Sequence, residues 1–511
     1  MALGIIAIAL GLRFADLDHK VYWHDEVFTS LRVAGYIGPE VTAQLFTDQT
    51  LTARELLQYQ HFPADASLAK TWMALVDHPE HPPLYYLLAY AWGHIWTASV
   101  GAYRALAALF GVLALPLMYG LGRSLFPQAP AIAGLATVLL AVSPVHFIYS
   151  QEAREYSLWV VGILLANLTL WRALRNPHWR GWFSYGVALG FTFYGSLMTG
   201  LLVLSHLIFV VLTQKPRQWL AFALANGLAL GCLAPWLWVI GRQWQRLHSV
   251  TAWIHESRPW GFLAQLWGLH YSAVVVDFNL PLDHGFTVVG PTVVLGLVVL
   301  ALGSVWRSYD RELGLFLGCL WIVSPLVIIG ADWINRGQMS STTRYFLPSL
   351  VTVPLILAPW FYAQITAAKP LQRLGGHLLV LGLLGVGLMS LGVNSRALTW
   401  WNKSFSYPNP YIAEYLNRIP QPLVVVEPGS NALGDAISLS YHLHPETPLW
   451  LLAEDRLPPG LPTTKTIFLL KPTASLIGSI EPPWQVEPVQ ADPRFAATDL
   501  VKLVPVHAPR P

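Results

Sequence analysis

Apolar segments of near membrane-crossing length recur along most of this sequence. They lie at 1–17, 103–121, 130–148, 157–172, 182–195, 198–213, 219–240, 287–305, 313–331, 345–363 and 376–393. A helix needs about 20 apolar residues to cross a bilayer, and a chain in lipid must satisfy its own backbone hydrogen bonds. The segments therefore predict an all-α polytopic membrane protein of about eleven transmembrane helices. Charge agrees: Asp, Glu, Lys and Arg make up 12% of the chain, where a soluble domain carries about 25%. The 23 Trp and 20 Tyr suit aromatic belts at two interfaces. A net charge of +3 gives no electrostatic footprint for nucleic acid. Cys232 and Cys319 both fall in apolar segments and read as small hydrophobes, with no disulfide or zinc spacing. The first segment has no basic n-region and no Ala-x-Ala cleavage signal, so it is expected to be a retained span.

Basic residues set the orientation. Arg123, Arg172, Arg175, Arg180, Lys215, Arg217, Arg307, Arg311, Lys369 and Arg373 all follow spans on one side. By the positive-inside rule that side is cytoplasmic. The N-terminus is then expected inside and the C-terminal region outside, in the plasma (cell inner) membrane. The apolar stretch from His81-Pro82-Pro83 to Trp96 is about fourteen residues and rich in aromatics, so it is expected to be interfacial rather than a span. It closes a large outer loop, 18–101, whose middle predicts short amphipathic helices on the membrane. A second outer loop runs 241–286. From about residue 394 helix-like and strand-like stretches alternate: 411–416, 423–427, 432–443, 449–453 and 466–470. The expected organisation is thus 1–393 in the membrane and a small α/β extracytoplasmic domain at 394–511. No Gly-x-Gly-x-x-Gly fingerprint accompanies it.

The polar residues that stand out lie at outer ends of spans. Asp25 and Glu26, in Trp23-His24-Asp25-Glu26, follow the first span directly. Charge at this depth is costly and marks a site; the bland alternative is an N-cap Asp with a Glu in the first helical turn. His78 and His81 lie in His78-Pro79-Glu80-His81-Pro82-Pro83. Arg104 opens the next span. Glu152, Arg154 and Glu155 sit in the turn Tyr149–Tyr156, which would otherwise read as a solvated Glu–Arg pair. Arg344, preceded by Thr342 and Thr343, opens a late span, where its alternative is an interfacial arginine that snorkels to headgroups. His255 and Glu256 lie in the second outer loop. His-Glu-x-x-His and Walker motifs are absent, which removes metalloprotease and ATPase readings.

This ordered set, Trp23-His24-Asp25-Glu26, His78–Leu84, Arg104, Tyr149–Tyr156 and Arg344-Tyr345-Phe346-Leu347-Pro348, resembles the GT-C glycosyltransferases. It is most similar to the protein-mannosyltransferase and aminoarabinose-transferase superfamily (glycosyltransferase family 39-like), across about residues 1–393. The resemblance implies transfer of a sugar from a polyprenyl-phosphate carrier to a lipid, glycan or protein hydroxyl on the outer face of the membrane. It implies Asp25 as base with Glu26 as partner, and a second acidic site at Glu152 or Glu155 beside Arg154. Donor phosphate would be held by Arg344, Arg104, His81 and His78. A divalent metal ion held by Glu26, Glu152 or Glu155 would join Arg344 in steadying the leaving phosphate. Chemistry fits these assignments: a lipid phosphate leaves as a stable anion, so the acceptor needs a base and the phosphate needs cations. A ligase or polymerase using a lipid-diphosphate glycan would need the same apparatus. A transporter would instead carry ionisable residues mid-span, which are scarce here.

Overall fold

The computed structural model describes residues 2–458, 461, 466–489 and 494–505. The chain divides into two compact units: residues 1–17, 75–89 and 101–397 form one, and 18–74, 90–100 and 398–511 the other.

The first unit is helical. Every apolar segment expected to span is helix, but not every helix spans unaided. Val100–Leu125, Tyr156–Arg175, Pro216–Arg242, Phe286–Ser308, Arg311–Asn335 and Pro370–Arg396 are long and apolar enough. Two bent pairs, Pro130–Ala141 with Pro144–Ser150 (60°) and Thr343–Leu350 with Val353–Ile365 (41°), raise the number from 6 to 8 among the described residues. The expectation of about eleven is therefore not met on length. Ala2–Phe14, Trp179–Gly195 and Thr199–Thr213 have 13, 17 and 15 residues; at 1.5 Å per residue the first is about 20 Å long against a hydrocarbon core of about 30 Å. Apolarity alone over-counts because it does not see where helices stop. Pro144 and Pro354 stand at the first turn of the second helix of each bent pair, where a missing N–H costs nothing but the preceding helix cannot continue. The helix Leu84–Ile95 has 12 residues, too few to cross alone.

Small residues let these helices approach closely. A Cβ on Gly162 would lie 3.0 Å from Thr192 Cα, the kind of contact that replaces hydrophobic drive between helices in lipid. Hydrogen bonds cross helices too: Tyr185 Oη to His206 Nδ1 (2.9 Å), His206 Nε2 to Asn167 Oδ1 (2.8 Å), and Trp159 Nε1 to Thr199 Oγ1 (2.9 Å). The turn 151–155 is tied to the end of the first helix. Gln151 Nε2 donates to the carbonyls of Leu12 (3.0 Å), Arg13 (3.3 Å) and Ala15 (3.3 Å), orphans of a helix C-terminus. Arg13, wholly buried, reaches His146 Nδ1 at 3.0 Å from the same helix end.

Among the described residues, the second unit is a six-stranded mixed sheet with helices. Its strands are β1 (Gln49–Thr52), β2 (Pro422–Val426), β3 (Pro448–Leu451), β4 (Thr466–Leu470), β5 (Trp484–Pro488) and β6 (Leu500–Pro505). Their order is β1-β3-β2-β4-β6-β5; β3, β2 and β4 are parallel and the rest antiparallel. β2 and β4 are central and buried on both faces, which is why they read as unbroken apolar runs. One face packs Leu423, Val425, Ile467 and Leu469 with Leu476, Val501 and Leu503. On the other, Asn409–Leu416 lays Tyr415 edge-on to Phe468. The edge strand β1 comes from the first outer loop, where only membrane-surface helices were expected; four residues of mixed polarity carry too little period to announce a strand.

Candidate active site

Each unit carries part of the polar set.

In the second unit the helix His24–Val33 bears Asp25 and Glu26 in its first turn. Trp23 is the N-cap residue, so Asp25 is not a capping residue. Glu26 is fully buried and its Oε2 accepts the Trp23 N–H at 3.4 Å, so the capping role considered for this pair falls to Glu26. Asp25 is half-buried. The His24 ring packs on Phe28 and Phe405. Burial lowers the His24 pKa, against the raising pull of Asp25 and Asp435; His24 is a neutral neighbour of the pair near pH 7. Lys403, almost buried, holds its Nζ 4.0 Å from the centre of the Trp23 ring.

In the first unit the structure gathers His81, Arg154 and Glu155, residues from two separate sequence motifs. Glu155 Oε1 lies 3.1 Å from His81 Nδ1 and 3.0 Å from Arg154 Nη2, and Tyr86 Oη donates to Oε2 at 3.2 Å. Burial acts to raise the Glu155 pKa, but the Arg154 and His81 charges outweigh it and hold the carboxyl at about 2. Glu155 is thus an anion at any working pH and unsuited to be a base. The Arg154 guanidinium also faces the rings of Tyr86 and Tyr156. Arg344 joins the same aromatic group, 5.7 Å from the Tyr156 centroid and 5.2 Å from Tyr345. It stands in the 3-10 turn Thr343–Phe346 rather than at a regular helix start. His270 steadies this turn: its Nε2 donates to Ser340 O (3.1 Å), so Nδ1 accepts from Thr343 Oγ1 (2.9 Å). Glu152 is buried, and its carbonyl takes the Arg154 N–H at 2.7 Å, which tightens the turn.

His78 and Arg104 have other partners. His78 Nδ1 is 3.2 Å from Asp77, which Arg246 grips at 2.9 Å while Trp236 Nε1 donates to Pro79 O. This locks the turn that delivers His81. Arg104, almost wholly buried, donates to Leu17 O at 2.7 Å. As for a metal, the described residues hold no group of three or more His, Cys, Asp or Glu able to bind an ion. Glu155 is already held by Arg154 and His81, and Glu26 by a backbone N–H, a poor start for an ion's ligand set.

One feature was not foreseen. A cleft of about 680 Å³ is lined by Ser257, Arg258, Pro259, Trp260, Trp333, Arg336 and Gly337. Its walls are preset. Trp260 and Trp333 pack at 5.1 Å. Gln338 receives Arg258 Nε (2.9 Å) and donates to Trp253 O (2.9 Å). Asp332 accepts the Met339 and Ser340 N–H groups at 2.9 and 2.6 Å. Arg336 is left-handed, with φ 53. The sequence signal was Asn335-Arg336-Gly337 ending an apolar run, a helix stop that places a cation at the interface. Two guanidiniums beside two indoles suit a phosphate joined to a sugar or lipid.

Residues 80–239 match the dolichyl-phosphate-mannose-protein mannosyltransferase family. Among solved structures, ArnT from Cupriavidus metallidurans bound to undecaprenyl phosphate superposes with a TM-score of 0.54 at 13% identity, covering 99% of this chain and 99% of that one. Its apo form gives 0.54 at 14%, covering 98% and 97%. The chain has the GT-C fold. An Archaeoglobus fulgidus oligosaccharyltransferase is more distant, at 0.47 and 13%, covering 88% of this chain and 64% of that one. No curated protein matches the sequence. The likeness to ArnT runs along nearly the whole length of the chain, at an identity that speaks for fold alone.

Proposed function

We propose that this GT-C chain is a membrane glycosyltransferase that takes a sugar from a polyprenyl-phosphate carrier. The match of residues 80–239 to the mannosyltransferase family carries this reading; the cleft with Arg258 and Arg336 beside Trp260 and Trp333 offers a place for a phosphate. The match of residues 80–239 to mannosyltransferases and the undecaprenyl phosphate held by ArnT support the same donor class.

The reaction is a single displacement with inversion at the anomeric carbon. Asp25 takes the proton of the acceptor hydroxyl, whose oxygen forms the new glycosidic bond. The anomeric carbon–oxygen bond to phosphate breaks, and its electron pair leaves on the lipid phosphate. Arg344 bears the phosphate charge, and no step calls for a metal. Glu155 orders Arg154 and His81. The site opens on the outer face of the inner membrane, with the N-terminus cytoplasmic and about eleven helices embedded, the shorter ones reaching the interface inside the bundle.

The test is transfer from radiolabelled polyprenyl-phosphate sugars in membranes, comparing wild type with Asp25→Asn at equal expression. Label entering a product only with wild type is expected. Equal transfer by both would remove Asp25 from the mechanism. Transfer only from lipid-diphosphate glycans would instead make the chain a ligase.

A further inference from the structure

A helix that begins at Trp23 has a capping problem. Its first N–H groups need acceptors, and an indole has none to offer. Glu26 meets one of them, at a long 3.4 Å. The next, the His24 N–H, is accepted by Ser406 Oγ at 2.9 Å, from 382 positions further along the chain. Ser406 is wholly buried and donates in turn to Asp435 Oδ1 at 3.4 Å, and Asp435 Oδ2 meets Lys471 Nζ at 2.9 Å. Gly434 lies against the same spot: a Cβ there would overlap the His24 ring and stand 2.9 Å from Phe28. Lys403 covers the Trp23 ring on a third side. Residues 403–406, 434–435 and 471 thus fasten the start of one helix, all within the second unit.

We propose that Ser406, backed by Asp435 and Lys471, is a positioning residue for the Asp25–Glu26 turn, which makes the C-terminal segment part of the transfer machinery. The inference rests on Asp25 being the base. Its backbone follows directly on the tethered His24 N–H, so the tether sets where the helix begins and which way Asp25 leaves it. A base works only within hydrogen-bond reach of the proton it takes, and misplacement by 1 Å can cost about a hundredfold. Ser406→Ala removes the acceptor from the His24 N–H; Ser406→Thr keeps the hydroxyl. Gly434→Ala presses on His24 from the other side with a methyl group.

The experiment uses the purified full-length chain in detergent, with radiolabelled undecaprenyl-phosphate mannose as donor and an envelope extract as acceptor. Rates are taken per folded molecule, and hydrogen exchange of the peptide 20–33 is followed in parallel. Ser406→Ala should lower kcat about tenfold with the donor KM unchanged, Ser406→Thr should restore it, and Gly434→Ala should repeat the loss. Exchange at the helix start should rise in Ser406→Ala and not in Ser406→Thr. A Ser406→Ala protein with wild-type kcat per folded molecule overturns the inference, as does unchanged exchange. If wild type transfers from no lipid-phosphate donor while Asp25→Asn is equally silent, the transferase reading itself fails, and exchange alone then decides the tether.

Discussion

Replacing Glu155 by Gln keeps the shape of the side chain and its acceptor for Tyr86, and removes only the charge held between Arg154 and His81. The carboxyl is depressed from 4.5 to about 2, a difference of 2.5, and each pKa unit is worth about 1.4 kcal/mol. The charge therefore contributes roughly 3–4 kcal/mol, the size expected when one member of a buried pair is deleted. The sign follows from the folded pKa lying below the unfolded one: the contribution is complete above about 4.5 and is lost as pH falls toward 2. The assay is thermal unfolding in detergent as a function of pH. Glu155→Gln should melt several degrees below wild type at pH 7, and the two curves should converge as pH drops through 4.5 toward 2. A variant as stable as wild type at pH 7, or a gap that does not narrow with acid, would refute the electrostatic account of this cluster.

Four further outcomes are expected. Asp25→Asn should abolish transfer with donor binding retained, as measured by labelled-donor retention on immobilised protein. Arg344→Gln, losing the guanidinium from the Tyr156 and Tyr345 rings, should weaken the phosphate contact by about 1.5–3 kcal/mol, read as a rise in donor KM or a fall in kcat/KM. Arg258→Ala together with Arg336→Ala should weaken donor binding in a way that high salt also reproduces in the wild type. Excess EDTA should leave the transfer rate unchanged, and a reversible loss restored by a divalent ion would return metal to the mechanism.

Much of this architecture was legible because long apolar periodicity is a strong signal. The helix at 103–121 was placed within four residues at each end and that at 376–393 within six, and strands β2 and β4 in the tail within one, since central parallel strands are apolar on both faces. What failed was where helices end. Ser143-Pro144 and the break before Val353 split apolar runs that a hydropathy window joins. Site residues were readable one by one but not as contacts. His81 and Glu155 were both singled out, yet nothing in their spacing says they touch, because that contact depends on Trp236 and Arg246 fixing one turn and Gln151 the other. Arg258 and Arg336 carry no sequence signal of a shared site, because an arginine at an interface is ordinary; only the meeting of two loops around Gln338 makes them line one cleft.

The edge strand β1 has a consequence for how the protein is made. Trp450 donates to Asp48 O across 402 positions, and β1 finds its partner β3 only when the last part of the chain has been synthesised. At some 5–20 residues per second, the first loop waits tens of seconds with an unpaired strand and a half-capped helix. Such long-range pairing is slow and leaves an exposed edge in the meantime. Ribosomal pausing or truncation late in the message would therefore strand the earliest loop, and a holdase that shields strand edges is the kind of helper this order of assembly calls for.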